Sequence, residues 1–128
     1  MKHVISILGA IAIVCAPVVA HHSFSEFYLE EDTIEVEGEI VEFQYKNPHS
    51  WIHVVAVDSF GRQRTYSAEW VGTSRLEREG ITKNTLRAGD QVRIWASPNR
   101  NPNDGRIRLK RIERRSPRWQ WGQTRQTR

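Results

Sequence analysis

Polar and apolar residues alternate from Thr33 to Tyr45. Ile34, Val36, Gly38 and Ile40 share one face of an extended chain, with Glu35, Glu37 and Glu39 opposite. The phase then slips, and Val41, Phe43 and Tyr45 become the apolar set. A slip of one residue carries every side chain to the other face. The pattern therefore predicts a long first strand with a bulge or sharp bend between Gly38 and Val41. Trp51 to Val57 reads as a second strand, reached through Asn47-Pro48-His49-Ser50. Asp58-Ser59-Phe60-Gly61 is turn chemistry, and Arg64 to Val71 is a third strand. Ser74-Arg75-Leu76-Glu77 has the S-x-x-E spacing of a capping box, with Gly80 placed to stop a short helix. Gln91 to Ala96 and Arg106 to Ile112 complete the set, with Val92, Ile94, Ala96, Ile107 and Leu109 inward.

Three strands, a short helix and two further strands is the order of an OB-like barrel. The predicted fold class is all-β: a small five-stranded Greek-key barrel over residues 33–114, with one short helix between strands three and four. Residues 21–32 precede it as an N-terminal arm, and residues 115–128 follow it as a basic flexible tail.

The first 20 residues have a different character. Met1-Lys2-His3 is short and basic, Val4 to Ala16 is almost wholly apolar, and Val18-Val19-Ala20 supplies small residues at a cleavage spacing. This is the layout of a secretory signal peptide, shorter than the roughly 20 apolar residues of a spanning helix. Cleavage after Ala20 makes His21 the first residue of an exported, periplasmic or secreted bacterial protein with no transmembrane segment after processing. The single cysteine, Cys15, leaves with the leader. A thiolate metal cluster, a cysteine nucleophile and a redox C-x-x-C are thereby excluded.

Charge divides the chain. From His21 to Gly105 there are 9 basic and 14 acidic residues, and from Arg106 to Arg128 there are 9 basic and 1 acidic. The tail interleaves arginine with tryptophan, a pairing suited to anionic interfaces. Its candidate partner contacts are Arg118, Trp119 and Trp121, joined by Trp51 and Trp70 of the body. An anionic membrane surface or an envelope protein fits these residues. Nucleic acid does not, since the body is acidic and the protein is expected to be exported.

"HHSF" at His21, "NPHSWI" at Asn47 to Ile52, "AEW" at Ala68 to Trp70 and "LRAGDQV" at Leu86 to Val92 resemble the family of unknown function 6152, small exported bacterial proteins. The resemblance covers about residues 21 to 112. It implies an exported barrel-like protein and assigns it no chemistry.

Chemistry must come from the histidines. His21, His22, His49 and His53 are all that follow the leader. An N-terminal His21 offers its amine and ring Nδ1 to one metal ion. A third nitrogen completes a T-shaped set that suits Cu(II), with zinc the second choice. His49, on the loop between the first two strands, is favoured for that place. Positions 49 and 53 stand about 13 Å apart along a regular strand, so His53 cannot share the ion unless the strand bends. Glu69 is a candidate ligand, or an acceptor that orients a ring N–H. Against this stands a plain alternative: an arm that holds no ion, with His49 in a turn and His53 beside Trp51. No G-x-S-x-G, phosphate loop or dinucleotide fingerprint is present, and the chain is read as not an enzyme. Two functions remain: a periplasmic copper-binding protein, or a non-metal envelope module that docks to a partner.

Overall fold

The computed structural model describes residues 24–123. The expected signal peptide at 1–20, His21, His22 and the end of the tail at 124–128 lie outside the described residues.

Five strands close a barrel. They are β1 (Ile34–Gln44), β2 (Trp51–Val57), β3 (Gln63–Glu69), β4 (Gln91–Ser97) and β5 (Arg106–Arg114), with one helix, α1 (Thr73–Arg78), between β3 and β4. β1 pairs antiparallel with β2 and β4, β2 with β3, and β4 with β5. The parallel pairing of Ser67, Ala68 and Glu69 with Arg106, Ile107 and Arg108 closes the ring. This is the five-stranded, one-helix barrel that the alternation predicts.

The bend in β1 has the predicted cause. Its register against β2 shifts between Ile40 and Glu42. Gly38 stands where the two strands approach closely, and a Cβ there would lie 2.2 Å from the Val55 carbonyl oxygen. Either side of the slip, alternation still sorts the faces. Val36, Ile40, Ile52, Val54, Ala68, Val92, Ile94, Ile107 and Ile112 are buried together inside, while Glu35, Glu37 and Glu39 stay outside.

The helix start differs from expectation. α1 begins at Thr73, Gly72 is the N-cap residue, and no side chain within the helix caps it. The S-x-x-E box is not formed. Instead Asn47, from the β1–β2 loop, accepts the Thr73 N–H through Oδ1 at 2.9 Å. A Cβ at Gly72 would lie 2.5 Å from the Pro48 carbonyl oxygen and 2.6 Å from Asn47 Oδ1. Glycine is what lets the loop reach the helix. The short helix delivers Leu76, fully buried, to the core.

The C-terminal flank of the barrel is corrected. The expected flexible tail supplies a sixth strand, β6 (Trp119–Trp121), paired with β5 from Ile112 to Arg114. It runs along β5 beyond the residues that β3 covers. The pairing is held by packing, because the Trp121 ring meets Trp70 edge-on at 4.9 Å and its Nε1 donates to Glu79. The arm is likewise docked. Tyr28 is buried and bridges to Asn99. Leu29 N–H donates to the Pro98 carbonyl, and Arg100 N–H to the Phe27 carbonyl. Glu30 pairs with Arg108. Its carbonyl accepts from Lys110 Nζ at 2.8 Å.

Candidate metal and ligand site

Strand pairing places Trp51 opposite Glu69, and His53 opposite Ser67. Between them Ile52 and Ala68 point into the core. Trp51, His53, Ser67 and Glu69 therefore share the outer face of β2 and β3. His49 lies two residues before β2 and reaches the same face. Its Nδ1 is 2.5 Å from Glu69 Oε1.

Glu69 has a second partner. The Tyr28 hydroxyl, brought in by the arm, donates to Oε2 at 2.5 Å. The Glu69 side chain is only 12 % exposed, so both oxygens are taken up by protein donors. Burial, reinforced by the Glu69 hydrogen bond and charge, holds the Tyr28 phenol above its ordinary value. Tyr28 is thus a donor at neutral pH and Glu69 an acceptor. A carboxylate oxygen accepts, so His49 Nδ1 is the donor of that contact and Nε2 is the ring nitrogen that Glu69 does not engage.

Phe24 completes the arrangement. Its ring centroid lies 5.6 Å from that of His49, and the Arg108 guanidinium carbon lies 3.6 Å over the same ring. Arg108 is fixed in turn by Glu30. The first described residue of the chain is thus held against His49. A cleft of about 180 Å³ opens here, walled by Phe24, Phe27, Tyr28 and Trp51, with His49 and Glu69 in its lining.

The structure brings together His49, Glu69 and Trp51 of the predicted residues and separates His53. His53 Nδ1 lies 2.8 Å from Ser67 Oγ, and its Nε2 is 3.8 Å from Glu42. Among the described residues, no three His, Cys, Asp or Glu side chains converge in a way that could hold an ion. Tyr28, Phe24 and Arg108 were not legible as site residues. An aromatic residue in a polar arm carries no periodicity that would reveal its target.

The partner residues also need correction. Trp70 is 3 % exposed and cannot meet a partner. It lies between Phe43 and Trp121, with ring centroids at 6.1 and 4.9 Å. Trp121 is committed to that contact. Arg118 is exposed and Trp119 half-buried. Both border a separate groove of about 330 Å³ that includes Arg93, Arg114 and Arg115. Arg93 is already paired with Glu35 and Glu37, and Arg114 with Asp90, so much of that positive charge is spent internally. No helix among the described residues is long and apolar enough to cross a membrane.

Residues 10–108 match the model of the family of unknown function DUF6152, and the chain belongs to that family. No curated protein matches it. Among solved structures, it is similar to the mitochondrial single-stranded DNA binding protein Rim1 of S. cerevisiae, with 14 % identity and a TM-score of 0.48, covering 65 % of this chain and 92 % of that one.

Proposed function

We propose that this is an exported bacterial protein of the periplasm or medium that holds one copper ion at its processed N-terminus. His21 contributes its amine and Nδ1, and His49 contributes Nε2. It acts as a holder or carrier and not as an enzyme. The observation that carries this reading is the state of His49. Its Nδ1 is engaged by Glu69 and Nε2 is the ring nitrogen left over, which is how ligating imidazoles are commonly oriented.

Reach supports it. Phe24 lies against His49, and three residues back from Phe24 is His21. Three residues span at most about 11 Å, so the His21 nitrogens and His49 Nε2 can meet on one ion. Three nitrogen donors without a thiolate suit Cu(II), and zinc is the second choice. Neutral-pH deprotonation of an amine and two imidazoles costs little. His22 and His53 are not required.

The test is a copper titration of the secreted protein, with its first residue established by intact mass. One-to-one uptake is expected, lost in His21→Ala, in His49→Ala and in a form carrying an extra N-terminal Met. Uptake unchanged in all three would overturn the reading. The envelope-module alternative would then remain, resting on exposed Arg118 and half-buried Trp119.

A further inference from the structure

The cleft beside His49 has a composition that suits one kind of small molecule. Four rings wall it: Phe24, Phe27, Tyr28 and Trp51. The polar atoms near them are mostly engaged. Tyr28 and His49 Nδ1 are bound to Glu69. Arg106, at the same cleft, holds Asp104 through Nε and Nη2. His49 Nε2 has no hydrogen-bond or ion-pair partner among the described residues. An aromatic wall beside one unengaged ring nitrogen suits a flat ring with one hydroxyl.

We infer that the cleft binds a small phenol, its ring against Trp51 and the phenylalanines and its hydroxyl donating to His49 Nε2. Size agrees. The cleft measures about 180 Å³, and an apolar cavity of about 150 Å³ accepts benzene. A single six-membered ring fits the cleft. Ring-on-ring packing adds attraction beyond buried area. The hydroxyl must lose water on entry, which is unfavourable unless an acceptor replaces it. His49 Nε2 is that acceptor. The site shares this nitrogen with the copper reading but needs no ion, so it is tested on chelator-treated protein.

The probes are phenol and toluene, which share a shape and differ in the donor. Binding is followed by tryptophan fluorescence and located by amide and histidine-ring NMR shifts. In the unaltered protein, phenol is expected to bind at least as tightly as toluene, with the largest shifts at His49 and Trp51. In His49→Phe, which keeps a ring and removes the acceptor, the phenol-to-toluene affinity ratio is expected to fall about threefold to tenfold, the worth of one hydrogen bond. Trp51→Ala should weaken both ligands alike. Toluene binding more tightly than phenol in the unaltered protein, or shifts centred away from His49, overturns the inference whether or not either variant folds. Copper uptake that fails while phenol binds removes the copper reading alone, and the reverse result removes this one alone.

Discussion

Tyr28 and His49 share one carboxylate: the Tyr28 hydroxyl donates to Glu69 Oε2 and His49 Nδ1 to Oε1, each at 2.5 Å. One residue comes from the arm and the other from a loop, and the acceptor sits at the end of β3. The contact couples the docking of the arm to the orientation of the imidazole.

Glu69→Gln tests that coupling. Its amide can accept from only one of the two donors and presents N–H to the other. Copper affinity is expected to fall about 10- to 100-fold, the usual cost of losing the group that orients a ligating histidine. The barrel should persist, since Glu69 lies outside the core. Calorimetric copper titration, with far-UV circular dichroism as the check on folding, decides it. Unchanged affinity would show that Glu69 does not orient the ligand.

Alkaline pH should loosen the arm. Burial and the neighbouring Glu69 raise the folded-state value of Tyr28 above the ordinary 10.0. A group raised on folding lends stability that is fully present below its unfolded value and is lost as pH climbs through the folded one. Stability should therefore hold below about pH 10 and decline above it. Tyr28→Phe should remove the latest-ionising phenol from a titration followed at the phenolate absorbance band. An unaltered titration in that variant would contradict the assignment.

Asn47→Ala removes the acceptor of the Thr73 N–H. Loss of a helix cap costs about 1 kcal/mol, which lowers Tm by roughly 4–8 °C in a domain of this size. Gly72→Ala should cost more, because its Cβ meets Pro48 and Asn47 backbone and side-chain oxygens. Thermal unfolding of the two variants should rank them in that order. The opposite ranking would mean that the loop moves aside freely.

Removing Trp121 exposes Trp70. Trp121→Ala should shift tryptophan emission to the red and lower stability by about 1 kcal/mol or more, from the lost ring pair and uncovered surface. Urea unfolding followed by fluorescence measures both. No change in either would mean that β6 is not seated on Trp70 in solution.

Alternation alone carried the fold a long way. The β2 range, the slip in β1 and the inward faces of β4 and β5 follow from period-two patterning, because a pleated strand sends neighbouring side chains to opposite faces. The short helix was legible from different signals, the S-x-x-E spacing at Ser74 and the stop at Gly80. Its cap was not, since the S-x-x-E spacing pointed to a local bond that Asn47 makes from 26 residues away. Trp119 and Trp121 looked like interface residues because a short strand after a run of arginines has too few positions to show a pattern.

For the site, the residue types His49 and Glu69 stood out in the sequence, and so did their proposed relation of ligand and orienting carboxylate. What brought them together was the β2–β3 register, which sets Glu69 opposite Trp51 and within reach of the loop before it. The sequence by itself determined which residues can turn inward, since hydrophobic burial is read one strand at a time. Only the tertiary structure decided that Tyr28 would reach Glu69 and that Phe24 would lie between Arg108 and His49. Those contacts join segments as much as 84 residues apart in the chain, and no local period encodes the meeting of side chains that only barrel closure brings within bonding distance.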